Sequence, residues 1–332
     1  MLKVVYVLVS SENDYYLEQF ILSVTSLRYH NDNLDVWLVT DKDTARYLKK
    51  SKWDVNGIVD YVVQGEIDDS YSHKEKASIL KCRLRKIIEG DFLFIDTDTV
   101  ICDDLSKIEQ YNSTSAVLDN HMRTDKEIAE FVPIKERAKR FGFSSGYDEC
   151  HFNSGVMWIK DDDKTRRLFE LWEELWIYTN KKGVRLDQLS FNEANARVSG
   201  VINEIDASWN CQLRYGINHI SDARIIHYYA SNMYGSTTRN YGYFFANQDV
   251  YKKLRECGTI DVEIQDKLLK PRSQFEPFSV VEVGSLKDDV LHSNAFTMLM
   301  FMRRRIPKVF KFIDKVLAVL RELVTRNNIT ML

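Results

Sequence analysis

Disulfide chemistry has little to work with in this chain. The five cysteines, Cys82, Cys102, Cys150, Cys211 and Cys257, form no C-x-x-C pair and are odd in number. A disulfide framework is therefore not expected, and a reducing compartment is. Long apolar runs are also missing. The longest uncharged apolar-rich stretch near the C-terminus, Ser293 to Met302, has ten residues, against the roughly twenty needed to span a bilayer. Met1 leads straight into a strand-like run with no secretory h-region, so the expected location is cytoplasmic. No G-x-G-x-x-G follows the first apolar run, which argues against a dinucleotide fold. There is no internal repeat and no low-complexity segment. A net charge of −3 offers no basis for nucleic-acid binding.

The charge that is present is unevenly placed. Residues 291–332 carry eight Lys and Arg against two Asp and Glu, a balance of +6 that leaves −9 on the other 290 residues. A basic tail on an acidic body predicts a partner of its own.

The 332 residues suit one large α/β domain with an appendage. "KVVYVLVSS" and "LDVWLVTD" read as buried parallel strands, and "IVDYVVQG" as a third. Between them, Leu17, Phe20, Ile21, Val24 and Leu27 have helical spacing. "SHKEKASILKCRLRKIIEG" predicts a helix closing at Gly90, and "TRRLFELWEELWIYTNKKG" one closing at Gly183. Strands alternating with helices predict a mostly parallel sheet covered by helices. Ligands of such sheets bind at the carboxyl ends of the strands, where Ser10 and the run Asp96-Thr97-Asp98 fall. Residues 1–255 are assigned to this domain, 256–290, with Pro271 and Pro277, to a linker or wrapped arm, and 291–332 to a helical basic tail.

In "FIDTDTV" two carboxylates follow the apolar run Phe92 to Ile95. Hard oxygen ligands at a strand end can hold Mg²⁺ or Mn²⁺, and such an ion can stabilise a departing diphosphate. It also relieves the repulsion between the two aspartates. An isolated Asp-x-Asp is common on surface loops, so the position in the fold carries the reading.

"FIDTDTV", "FNSGVMWI" at 152–159 and "LDQLSFN" at 186–192, taken in order, resemble the nucleotide-diphospho-sugar transferases of the GT-A fold. The similarity is to the retaining glycosyltransferases of family 8, the glycogenin and bacterial lipopolysaccharide galactosyltransferase group, and it covers about residues 1–230. It implies a UDP-sugar donor, Mn²⁺ or Mg²⁺, and transfer of a hexose to an acceptor hydroxyl with retention, the acceptor being a surface glycan or lipid-linked saccharide. Asp96 and Asp98 take the places of the metal-binding pair, with Asp96 also on the ribose and Thr97 between them. His227 in "RIIHYYAS" takes the third ligand's place, with His219 and His151 as alternatives. The resemblance assigns Asn153 and the Ser154-Gly155 turn to the donor sugar. It assigns Asp187 to the sugar hydroxyls and Gln188 to the face of the anomeric carbon opposite the leaving group. Lys76 or Arg83 is expected on the phosphates or sugar, and Tyr15 or Tyr16 on the base beside Ser10. The chain departs from the family after His227: no lysine occurs until Lys252, leaving the phosphate to Arg239 or to the metal and Lys76.

In the tail, Val309, Ile313, Val316, Leu320 and Leu323 form an apolar stripe with Lys308, Lys311, Lys315 and Arg326 largely away from it, and Pro307 opens the helix. Over 303–326 this pattern fits an anionic membrane surface, making the protein peripheral on a membrane's inner face. Packing on the domain or a dimer seam fits as well. Two other functions share the architecture. A sugar-nucleotide nucleotidylyltransferase needs a Gly-rich basic loop that "VSSENDYYLEQ" lacks. A non-catalytic nucleotide-sugar-binding relic sits poorly with intact Asp96, Asp98 and Asp187.

Overall fold

The computed structural model describes residues 1–123, 132–146, 150–213, 217–228, 243–275 and 284–328. The first half alternates strand and helix: β1 (Leu2–Leu8), α1 (Tyr16–His30), β2 (Leu34–Thr40), α2 (Lys42–Leu48), β3 (Tyr61–Gln64), α3 (His73–Cys82), α4 (Leu84–Ile87) and β4 (Phe92–Ile95). β5 (Thr99–Ile101), β6 (Ser115–Leu118), α5 (Val132–Phe141), β7 (Phe152–Ile159), α6 (Asp163–Lys181), α7 (Asp187–Arg197), β8 (Asn203–Glu204), β9 (Cys211–Gln212) and β10 (Ile225–His227) follow. The chain continues as helices α8 (Gln248–Cys257), α9 (Val262–Leu269), α10 (Leu286–Leu291), α11 (Asn294–Arg305) and α12 (Pro307–Asn328).

Seven strands form one sheet in the order β3-β2-β1-β4-β7-β6-β8. β3, β2, β1 and β4 run parallel, and β7 enters antiparallel beside β4. The fold is thus α/β with a mostly parallel central sheet, as the strand-helix alternation predicts. Both faces are covered, which explains why β1 and β4 read as continuous apolar runs rather than alternating ones. Successive side chains go to opposite faces. Val5, Phe92 and Phe94 pack with Ile79, Leu80, Trp172 and Trp176. Val4, Tyr6, Leu8, Leu93 and Ile95 pack with Phe20, Ile21, Val24 and Leu27 of α1.

A second sheet of three strands, β5-β10-β9, stands beside the first. β5 pairs antiparallel with β10 in the register Thr99↔His227, and β9 runs parallel to β10 with Gln212↔His227. α8 and α9 cover this sheet, burying Tyr251, Leu254, Ile264 and Leu268 with Val100 and Ile226. Arg255 adds a hydrogen-bonded ion pair, 2.7 Å from Glu18 of α1, whose side chain is 1% exposed. The packed core therefore runs on through α9, inside the stretch read as a linker or arm. Among the described residues, α10, α11 and α12 contribute nothing to the three core clusters. Among the described residues, no helix is long and apolar enough to cross a membrane.

Two sequence expectations are refined locally. The helix read as ending at Gly90 breaks earlier, into α3 and α4 around Arg83; Gly90 adopts φ +73° in the turn that follows. The Asn153-Ser154-Gly155 segment is not a turn but lies within the buried strand β7.

Candidate active site

The aspartate pair occupies the bend between the two sheets. β4 ends at Ile95 and β5 begins at Thr99, so Asp96 leaves the large sheet and Asp98 leads into the small one. The bend is pinned through its backbone. Asp96 N–H donates to Gly155 C=O at 2.7 Å, Thr99 Oγ1 donates to Asp96 C=O at 2.9 Å, and Tyr228 N–H donates to Asp98 C=O at 2.9 Å. The register of β5 against β10 then sets His227 beside Asp98, with Nε2 3.1 Å from Asp98 Oδ1. One ligand atom each from Asp96, Asp98 and His227 lies within 4.8 Å of the others. Two carboxylates and an imidazole at that spacing fit one Mn²⁺ or Mg²⁺ with bonds of about 2–2.5 Å.

Gly155 makes this approach possible. A Cβ there would overlap the His227 ring and lie 2.9 Å from Asp96 Oδ2. The glycine is required by the imidazole and carboxylate that crowd its backbone, a reason different from close approach of a ligand.

Asp187 opens α7, and its carbonyl accepts the Trp172 indole N–H at 3.0 Å. Its carboxylate accepts from Ser154 Oγ at 3.3 Å, and Gln188 Oε1 accepts from Ser154 N–H at 3.4 Å. Between the two acidic groups stands Lys81, whose Nζ is 3.1 Å from Asp96 Oδ1 and 3.5 Å from Asp187 Oδ2. Asp96 is a third exposed by its side chain, yet sits at the floor of a cleft walled by protein. That burial lifts its pKa to about 6, with Lys81 opposing and Asp98 adding to the rise. Burial also pushes Asp98 up, but the charge and hydrogen bond of His227 bring it below the ordinary carboxylate value. Burial lowers His227, and Asp98 more than reverses this.

A cavity of about 260 Å³ runs from the end of β1 to these groups, lined by Val9, Tyr16, His73, Lys74, Ala77, Ser78, Lys81, Asp96, Thr97 and Asp187. Of the residues chosen from the sequence, Asp96, Thr97, Asp187 and Tyr16 line this cavity, and Asp98, Asn153, Gly155, Gln188 and His227 group with them behind it. Four stand elsewhere. Lys76 is 4% exposed and pairs with Asp41 and Asp43 at 3.0 and 2.9 Å. Arg83 bonds Glu173 at 2.8 Å and the Glu66 carbonyl at 2.9 Å. Tyr15 packs on Tyr251 under Arg255. Ser10 Oγ donates to Asp14 at 2.6 Å and accepts from Leu17 N–H, tying off the β1–α1 loop. His151 and His219, the alternatives to His227, lie outside the carboxylate cluster: His151 meets Asn192, and His219 packs its ring on His121. Arg239 lies outside the described residues.

Lys81, Lys74 and His73 were missed from the sequence. The signal was present in the helical phase: positions 73, 74, 77, 78 and 81 share one face of α3, and Lys76 is turned about 200° from Lys74. The basic residues expected from the sequence on this helix, Lys76 and Arg83, pair away from the cavity, which His73, Lys74 and Lys81 line instead.

Two aspartates and a histidine thus group at the strand ends, with a lysine between carboxylates and a cleft beside them. The profile of "Glycosyl transferase family 8" matches residues 7–233, and the chain belongs to this family. It is a glycosyltransferase of the GT-A fold. Comparison with curated proteins by sequence gives no match. Among solved structures it is similar to the galactosyltransferase LgtC in complex with donor and acceptor sugar analogs, at TM-score 0.50 and 15% identity over 80% of this chain and 100% of that one. Mouse xyloside xylosyltransferase 1 in its apo form aligns at TM-score 0.46 and 12% identity, over 69% of this chain and 98% of that one. The bifunctional WbbM aligns at TM-score 0.44 and 16% identity over 69% of this chain, which spans 46% of that enzyme.

Proposed function

We propose that this glycosyltransferase moves a hexose from a UDP-sugar to an acceptor hydroxyl of a surface glycan or lipid-linked saccharide, with retention and with Mn²⁺ (or Mg²⁺). The observation that carries the reading is the convergence of Asp96, Asp98 and His227 beside Lys81 and Asp187 at the floor of the cleft beyond the ends of β1 and β4. Asp96, Asp98 and His227 would hold the ion, which supplies positive charge to the departing diphosphate. Tyr16 offers a flat face to the base. His73 and Lys74, at the start of α3, present positive or hydrogen-bonding groups to the phosphates. Asp187 and Lys81 orient sugar hydroxyls.

For retention, the bond from the anomeric carbon to the β-phosphate oxygen breaks as the acceptor oxygen bonds on the same face. The acceptor proton passes to the leaving phosphate oxygen. In this reading Gln188 would face the anomeric carbon from the side opposite the leaving group, as the family resemblance implies, and an amide there in place of a carboxylate favours front-face attack over double displacement. UDP release from a panel of UDP-sugars, with Mn²⁺ or with EDTA, tests the reading. Turnover that survives EDTA, or equal turnover in Asp98→Asn, overturns the metal role; no turnover with any UDP-sugar overturns the donor.

The tail has a second role in this reading. α11 and α12 expose Met298, Phe301, Val309, Phe312, Val316 and Leu317. Residues 294–319 carry six basic side chains and one acidic one. This combination suits an anionic lipid surface on which a lipid-linked acceptor would be met. Leu320 and Leu323 of the predicted stripe, and Arg326 away from it, have side chains outside those described.

A further inference from the structure

Four buried polar side chains lead away from the metal cluster in a line. Asp119, Asn153, Asn210 and His227 are between 0% and 2% exposed. They come from four places in the chain: the end of β6, strand β7, the turn before β9, and the end of β10. Buried amides and carboxylates are costly unless their hydrogen bonds are made, so the direction of each bond can be worked out.

The direction is set by a backbone group that can only donate. Gly155 N–H donates to Asn153 Oδ1 at 2.9 Å. This fixes which end of the Asn153 amide is oxygen. Its nitrogen end then faces Asp119, with Nδ2 donating to Asp119 Oδ1 at 3.0 Å. Asn153 Oδ1 also accepts from Asn210 at 3.0 Å, which requires Asn210 to present its NH₂ group there. Asn210 must therefore turn its oxygen to His227, 2.9 Å from Nδ1. An oxygen acceptor requires a proton on Nδ1. In neutral imidazole only one ring nitrogen carries hydrogen, so a ring that keeps its Nδ1 proton on Asn210 gives up the Nε2 proton it shares with Asp98 at 3.1 Å and turns that lone pair to an ion.

We infer that Asn153 and Asn210 are positioning residues that hold His227 in its Nδ1–H form with Nε2 presented as a metal ligand. The inference rests on the metal site proposed above. It also changes what Asn153 is for: its side chain serves the histidine from behind, where the family resemblance would place it on the donor sugar. The order of the relay is specific. Asparagine at 210 is needed because it donates at one end and accepts at the other. An apolar side chain would leave Nδ1 without this acceptor and allow the ring to carry its proton on Nε2, hydrogen-bonded to Asp98 and closed to an ion. Outer partners of this kind typically change metal affinity by about 10–100-fold.

The test uses the full chain labelled with ¹⁵N-histidine, without metal, followed by NMR from pH 6 to 10 so that the neutral ring is read. The wild type is expected to show the Nδ1–H pattern for His227 and Asn210→Leu the Nε2–H pattern. In parallel, Mn²⁺ titration followed by electron paramagnetic resonance should show Asn210→Leu and Asn153→Ala weakened at least tenfold, with native circular dichroism. A wild-type Nε2–H pattern, or Mn²⁺ affinity equal to wild type in both variants, overturns the inference. A wild type that has the Nδ1–H pattern but takes no Mn²⁺ supports the relay and overturns the metal reading instead. The wild-type spectrum alone decides the tautomer should both variants fail to fold.

Discussion

Lys81 Nζ lies 3.1 Å from Asp96 Oδ1, and this ion pair is the one cationic contact to the aspartate cluster among the described salt bridges outside His227. Burial disfavours the ammonium, but Asp96 and Asp187 hold its pKa above the ordinary lysine value, so it stays charged. Lys81→Met is expected to lower kcat/KM by about 100-fold, the scale of losing one preorganised donor at a reacting centre. Lys81→Arg should recover part of it. Steady-state kinetics with the best UDP-sugar checks this. Full activity in Lys81→Met would remove the residue from the site.

Gly155→Ala is expected to displace the His227 ring, because the added methyl occupies its place. We predict an Mn²⁺ affinity at least tenfold weaker, together with a stability loss of about 1–3 kcal/mol from overpacking. Titration of the metal and urea unfolding measure the two effects. An unchanged affinity would show that the ring is not held where the structure has it.

Mn²⁺ should stabilise the folded chain, since the unfolded one lacks the assembled ligands. At a free concentration 100 times Kd, the expected gain is about 2.7 kcal/mol. Thermal unfolding with and without EDTA reads it, and Asp98→Asn should abolish the difference. An equal shift in the variant would place the ion elsewhere.

Lys76 is predicted to act in folding and not on the donor. Burial pushes the Asp41 carboxyl up, but the Thr44 hydroxyl and amide bonds and Lys76 bring it below its ordinary value. A depressed carboxylate contributes stability that is present above its unfolded pKa of about 3.9 and is lost as pH falls through its folded value. Lys76→Met leaves Asp41 charged, buried and without its ammonium. It should cost about 3 kcal/mol at neutral pH, with the deficit shrinking at acid pH as Asp41 is protonated. The donor KM should not move. A raised KM with unchanged stability would return Lys76 to the phosphates.

Vesicle co-sedimentation tests the tail. Binding to vesicles rich in anionic lipid is expected and binding to neutral ones is not. Replacing Lys308, Lys311 and Lys315 by Gln should remove about 3 kcal/mol, or roughly 100-fold in partitioning, at about 1 kcal/mol for each charge. Absence of lipid binding, with dimerisation seen by light scattering, would assign the apolar surface to a second copy.

Much of this was legible in the residues. The uninterrupted apolar strands told that both sheet faces are covered, and the aspartates at the end of Phe92–Ile95 marked the cleft. Other features depend on facts outside local pattern. The phase of α3 decides that Lys81 and not Lys76 meets Asp96, and that phase follows from which side of the helix packs on β1 and α6. Asn153 reads as a turn residue by type, yet its side chain is satisfied across the core by Asp119, which is 34 positions away. Asn210 gave no local signal, because its role exists only once β10 has brought His227 beside it.

The two aspartates belong to different layers. Asp96 trails from the seven-stranded sheet and Asp98 leads into the three-stranded one, so an ion held by both would rivet the layers together. Sliding of the small sheet would then pull against coordinate bonds as well as side-chain packing. We expect amide hydrogens of β5, β9 and β10 to exchange more slowly once Mn²⁺ is added, and exchange indifferent to the ion would show the two layers already locked without it.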